Sequence, residues 1–188
     1  RSRTVRPKSA TAAVGTGGVW CTPQNGSRAT GVAEPWAAVF EFFGANSSIT
    51  AHGGGPFGPL QLDPSAPEFG FIGNTPKLGW SMVDIKGLLE RQLTLSVNLD
   101  TDVNCAAIGE QYYGVAKQVG SFIYLTLGTG IGGSLVIGGK VIHGLSNLEM
   151  GHTRIPHEPL VGAFKGACPY HGDCAEGMAS GFAMEQRY

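Results

Sequence analysis

Three observations predict a mixed α/β fold for this chain. Thr94–Leu99 alternates apolar and polar residues and runs through Asp100-Thr-Asp102 into a helical stretch, the pattern of a strand that feeds a helix. Phe122–Leu127 is a strand-like run that opens into Gly128-Thr-Gly130-Ile-Gly-Gly133. Gly138-Gly139 then sits between Ser134–Ile137 and Lys140–His143, the signature of a two-residue hairpin. Strand, helix, strand and hairpin in this order indicate a mixed α/β architecture.

The elements follow in order. Residues 1–33 are rich in Gly, Ser, Thr and Pro, with one apolar patch around Ala12–Val19, and are hard to assign. Pro35 opens an amphipathic helix over Trp36–Phe43, because a proline at the first helical position lacks only an N–H that would be unpaired anyway. Gly53–Pro59 reads as a glycine-rich loop. Residues 59–75 read as short strands with turns at Asp63-Pro64 and Gly73-Asn74. Ser81-Met-Val-Asp84 resembles a capping box opening a helix that runs through Leu89 to Gln92. A second helix is expected from about Val103 to Lys117.

Composition narrows the function. With 42% hydrophobic and 14% charged residues the chain can bury a core, which argues against general disorder. A net charge of -1 argues against a nucleic-acid partner held by phosphate contacts. No apolar run reaches the roughly 20 residues of a membrane helix. Four cysteines are too few for a disulfide scaffold and fit a reducing, cytoplasmic setting. Two of the four, Cys21 and Cys105, stand apart from the other two.

Those other two stand in Cys168-Pro-Tyr-His171-Gly-Asp-Cys174-Ala-Glu176, and His152 precedes them in Glu149-Met-Gly-His152. His152, Cys168, His171 and Cys174 make a full ligand set for one tetrahedral zinc ion, and a closed shell of four implies a structural metal. His143 and His157 are read as surface histidines. The glycines at 128–133 could aim backbone N–H groups at a phosphate, or could simply make a tight turn. Asp102, where a strand meets a helix, is by default an N-cap, yet a carboxylate there can also take a proton from a bound hydroxyl. Asp100, two residues away, is its competitor.

These stretches, in this order, resemble the ROK family of sugar kinases and repressors, and most closely its bacterial fructokinase branch. The resemblance rests on Phe57–Asp63, Asn74–Trp80, Asp100–Asn104 through Glu110, Thr126–Gly133, Leu148–Pro156 and Cys174–Ser180. The Cys/His mix at the metal and the Asp-Thr-Asp-Val-Asn sequence favour the fructokinase branch. The resemblance implies a two-lobed, actin-like ATPase (RNase H-like) fold, with residues 1–99 in one lobe and 100–188 in the other. Asp102 becomes the general base. Gly128, Thr129, Gly130, Gly132 and Gly133 line the ATP phosphates. Gly58, Asn104, Glu149, His152 and Glu176 surround the sugar. Zinc, ATP and Mg2+ are the implied cofactors, a hexose, fructose first, the implied substrate, and a homodimer the implied assembly. The same resemblance makes the chain look shortened at both ends: Arg1–Ser9 stands where the family has an acidic phosphate loop, and Glu185–Tyr188 falls short of the adenine-binding part. A non-catalytic fragment and a sugar-sensing regulator are the alternative readings. Loss of zinc is expected to weaken sugar binding and leave Gly128–Gly133 undisturbed.

Overall fold

A computed structural model describes residues 4–5, 10–15, 18–23, 51–55, 58–75, 79–93, 96–144, 147–156 and 164–188. The helix expected at Trp36–Phe43 and the surface histidine His157 lie outside the described residues, as do Pro56 and Phe57. The chain divides into two compact units. The first contains Arg1–Cys105, joined by Asn147, and the second Ala106–Gly144 and Leu148–Tyr188. Among the described residues no helix is long and apolar enough to cross a membrane.

In the first unit, β1 (Thr4–Val5), β2 (Ala10–Gly15) and β3 (Gly18–Pro23) form an antiparallel sheet in that order. These strands lie in the stretch that the sequence leaves unassigned; β2 and β3 pair from Ala10↔Pro23 to Gly15↔Gly18. The strand β4 (Ala51–Gly54) is a second correction, since Gly53 and Gly54 were expected in a loop. It pairs in parallel with β7 (Ser96–Leu99), Ala51 opposite Ser96 and Gly54 opposite Leu99. A parallel partner more than 40 residues away supplies order that the local composition withholds.

Between these paired strands the chain makes a small antiparallel pair, β5 (Phe71–Ile72) and β6 (Val83–Asp84), with Leu60 bridged to Ile72. The turn expected at Asp63-Pro64 is present, and the Asp63 carboxylate accepts from the Ser65 backbone at 2.9 Å. Helix α1 (Ile85–Leu93) starts three residues later than a cap at Ser81 requires. The cap is Asp84, whose Oδ1 accepts from the Gly87 N–H at 2.7 Å. The Ser81 hydroxyl bonds Asn74 instead. Ile85 and Leu89, four apart and so on one helical face, are both buried, as are Ile72, Trp80 and Val97.

Helix α2 (Asp102–Tyr113) ends four residues before the expected Lys117. Glu110 folds its carboxylate back onto the Val115 N–H at 3.0 Å, and Gly114 breaks the helix. The second unit then forms an antiparallel sheet of three strands, Phe122–Leu127 (β8), Ile131–Ile137 (β9) and Lys140–Val141 (β10), with β9 in the middle. Strand β8 (Phe122–Leu127) matches expectation, whereas β9 (Ile131–Ile137) begins three residues before Ser134. The Gly138-Gly139 hairpin into β10 (Lys140–Val141) is as expected, and both glycines carry positive φ, +56° and +77°, as a type I′ turn requires. A short 3-10 turn (Met150–His152), α3 (Ala175–Ala179) and α4 (Gly181–Arg187) complete the unit.

Candidate functional site

Strands β4 and β7 leave their ladder together at Gly54↔Leu99, and this sets the first cluster. Thr101 caps α2, its Oγ accepting from the Asn104 N–H at 3.3 Å. Asp100 Oδ1 accepts from the Thr101 N–H at 2.8 Å and from the Asn104 side-chain amide at 2.6 Å. Asp102, the first residue of the helix, accepts from the Val103 N–H at 2.9 Å. The N-cap role that is the ordinary reading of Asp102 therefore belongs to Thr101. Gly55 closes the cluster from the other strand, because a Cβ there would stand 2.7 Å from Cys105 Sγ and 3.3 Å from Asp102 Cα. Burial, reinforced by the charges of Asp100 and Asp102, pushes the Cys105 thiol far up, so it is no nucleophile. Gly58 is half-buried in the same unit.

The second cluster is in the second unit. Only Gly128, Thr129 and Gly130 form the turn between β8 and β9, closed by a Gly128 N–H to Gly130 carbonyl bond of 2.9 Å. Gly132 and Gly133 are ladder residues, paired with Thr126 and Leu125. Gly133 is glycine for another reason: a Cβ there would fall 2.6 Å from Met150 Sδ. Glu176, from α3, accepts from the Ile131 N–H at 2.9 Å. The Gly181 N–H donates to the Gly128 carbonyl at 2.7 Å. The turn is thus hydrogen-bonded to the segment that carries the metal-type residues.

The third cluster is that ligand set. Cys168 and Gly172 bond each other's backbones at 2.9 and 3.2 Å, with Gly172 at φ +64°, and this ring turns His171 back over Cys168. Gly177 seals it, since a Cβ there would stand 1.8 Å from the Gly172 carbonyl oxygen. Arg154 bridges Cys174, which brings the chain just after His152 alongside. The four ligand atoms of His152, Cys168, His171 and Cys174 all lie within 4.8 Å of one another. His152 Nδ1 is 3.6 Å from both thiols, and His171 Nδ1 is 3.9 Å from Cys168 Sγ. Zinc bonds of about 2.3 Å to sulfur and 2.1 Å to nitrogen would separate the two donors by about 3.6 Å in a tetrahedron. The donor set and its spacing fit that ion. Burial, with the Cys168 thiol alongside, pushes the Cys174 thiol up, so an ion must displace its proton to bind. Glu149 is exposed and begins the 3-10 turn that ends at His152, its carbonyl accepting from the His152 N–H at 3.0 Å. His143 is exposed, as expected.

The structure therefore joins Glu176 to the glycine turn and gathers the four metal-type ligands in the second unit, and joins Asp100, Asp102 and Asn104 in the first. The sequence reading missed Thr101, Gly55, Gly151 and Gly177. Thr101 had a signal, a hydroxyl just before a helix. The glycines had none, because each is required by a contact that no local pattern reveals: Cys105 for Gly55, Ile131 for Gly151 and the Gly172 carbonyl for Gly177.

A strand-fed helix with an acidic N-terminus, a glycine turn and a Cys/His cluster make up the candidate site of this α/β protein. The comparisons carry this to a family. Residues 48–188 match the ROK family, and the chain belongs to it. It is 44% identical over 141 residues to a fructokinase of Zymomonas mobilis, covering 75% of this chain and 47% of that protein. A fructokinase of Lactococcus lactis subsp. cremoris is 40% identical over 156 residues, 82% of this chain and 52% of that one. Among solved structures, a ROK hexokinase from Thermus thermophilus superposes with a TM-score of 0.68 at 29% identity, covering 98% of this chain and 61% of that one. A ROK glucokinase from Streptomyces griseus, in complex with glucose and AMPPNP, gives 0.69 at 25% identity, over 97% and 58%. The chain spans about half the length of the curated relatives it matches.

Proposed function

We propose that the chain carries the sugar-handling and phosphate-handling residues of an ATP-dependent hexose kinase that converts fructose to fructose 6-phosphate. The observation that carries the reading is the division of labour at the head of α2. Thr101 caps the helix and Asp100 anchors Asn104, so the ordinary structural duty of an aspartate in this position does not fall on Asp102. Asp102 takes the proton of the sugar's primary hydroxyl as its oxygen attacks the γ-phosphorus and the bond to the ADP oxygen breaks. Phosphoryl transfer asks for positioning and charge neutralisation more than covalent catalysis. The turn at Gly128–Gly130, with Gly132 and Gly133 behind it, cradles the phosphates, and Mg2+ offsets their charge. Gly58, Asn104, Glu149, His152 and Glu176 hold the sugar, carboxylates and amides being suited to paired hydroxyls. Zinc on His152, Cys168, His171 and Cys174 supplies cross-linking of the loop, with no part in the chemistry. On this reading residues 1–99 and 100–188 supply the two lobes, and the intact enzyme is a homodimer.

The likeness to fructokinases from several bacteria supports fructose as first substrate. Asp102→Asn tests the reading. The variant is expected to bind fructose with unchanged affinity in calorimetry and to lose at least a hundredfold in fructose-dependent ADP release, the range of a lost general base. An Asp102→Asn protein that turns over at the parent's rate removes Asp102 from the chemistry.

A further inference from the structure

The glycine turn is held by one continuous segment, and that segment begins at a metal ligand. Cys174 is the residue on which α3 starts. Two residues on, Glu176 Oε2 accepts from the Ile131 N–H at 2.9 Å. After α3, Ser180 caps α4 by accepting from the Ala183 N–H at 3.1 Å. That junction aims the Gly181 and Phe182 N–H groups at the carbonyls of Gly128 (2.7 Å) and Thr129 (3.4 Å). The fit admits no side chain: a Cβ on Gly130 would stand 2.6 Å from Glu176 Oε2, and one on Gly181 2.8 Å from the Gly128 oxygen. From the other direction Gly151, next to the ligand His152, packs where a Cβ would be 2.1 Å from the Ile131 carbonyl oxygen. The residues beside two of the four metal-type ligands thus both meet the turn at its Ile131 end, and the junction that follows α3 holds its Gly128 end.

We infer that Glu176 is a positioning residue for the glycine turn, and that metal occupancy at Cys174 and His152 sets the geometry of that turn through Glu176 and Gly151. This deepens the role proposed for Gly128–Gly130 and rests on that reading for its link to nucleotide. It gives Glu176 a duty toward the phosphate side that a sugar contact alone does not include. The amide Ile131 N–H is the reporter. Its partner is a carboxylate from 45 residues away, so its exchange with solvent reads the clamp directly.

The test is amide hydrogen exchange at Ile131 in the full chain, zinc-loaded and after removal of metal with a chelator, for the parent, Glu176→Gln and Glu176→Ala. Glu176→Gln keeps an acceptor oxygen and Glu176→Ala removes it. The Gly139 N–H, bonded to the Gly120 carbonyl at the far end of the same sheet, is the control. The expected result is at least tenfold faster exchange at Ile131 in Glu176→Ala and in the metal-free parent, partial rescue in Glu176→Gln, and no change at Gly139. Unchanged Ile131 exchange in both Glu176→Ala and the metal-free parent overturns the proposal. Equal acceleration at Gly139 also overturns it, because the effect is then general loosening. MgADP binding is measured alongside. If Ile131 loosens as expected in a chain with no affinity for MgADP, the clamp stands and the phosphate reading of the turn fails.

Discussion

The Asn104 side-chain amide donates to Asp100 Oδ1 at 2.6 Å, one helical turn above the Thr101 cap. Asn104 is buried, 5% exposed, so the carboxylate two residues before the proposed base fixes the amide that faces it from the helix. Asp100 read alone was a competitor for the role of Asp102. Its geometry makes it a support for Asn104 instead.

Asp100→Ala is expected to lower stability by about 1–3 kcal/mol, the cost of leaving a buried donor without its partner. Asp100→Asn, which keeps an acceptor oxygen, should recover most of that loss. Urea midpoints at constant m value decide it. A change within about 0.5 kcal/mol for the alanine variant is what an ordinary surface site would give, and would mean that Asp100 does not hold Asn104.

Gly177→Ala places a methyl group 1.8 Å from the Gly172 oxygen and 2.9 Å from Cys168 Cβ, prising open the ring that presents His171 and Cys168. After dialysis the parent should retain about one zinc ion per chain, the stoichiometry of a single four-ligand site. The variant should retain well under half as much by elemental analysis. Full zinc in Gly177→Ala would show that the ring does not shape the ligand set.

Glu90 gives a pH signature. The Lys86 ammonium, in an ion pair with it, and then the Val97 N–H at 3.2 Å hold its carboxyl below the usual glutamate value. A depressed carboxyl stabilises the folded state above the unfolded value, about 4.3, and that stability is lost as pH falls through the folded value. The pair is partly exposed, so the expected contribution is only about 0.5–1 kcal/mol. Parent minus Glu90→Gln stability should show this difference at pH 7 and shrink toward zero below about pH 4. A pH-independent difference would place the effect in packing instead.

Much of this is legible in the sequence. Phe122–Leu127 and the Gly138-Gly139 hairpin follow from patterns confined to neighbours in sequence, and the Cys-x-x-His-x-x-Cys spacing carries its own geometry. What escaped the sequence depends on distant partners. Ala51–Gly54 is a strand only because Ser96–Leu99 lies beside it. Gly132 and Gly133 look like turn residues but are ladder residues opposite β8. Helix α2 stops at Tyr113 because Glu110 competes for the Val115 N–H, a choice that helical periodicity does not reveal. The bond from Glu176 to Ile131 had no sequence signal, whereas the carboxylate itself was singled out for its place beside Cys174.

The central claim is phosphoryl transfer to a hexose hydroxyl, and product analysis tests it most directly. The intact enzyme that carries these residues is incubated with ATP, Mg2+ and, in turn, fructose, mannose and glucose, and followed by phosphorus NMR. The account predicts a phosphomonoester resonance coupled to the protons of the fructose primary carbon, growing in step with ADP and absent with Asp102→Asn. ADP formation without a sugar phosphate, or no reaction with any of the three hexoses, would contradict it.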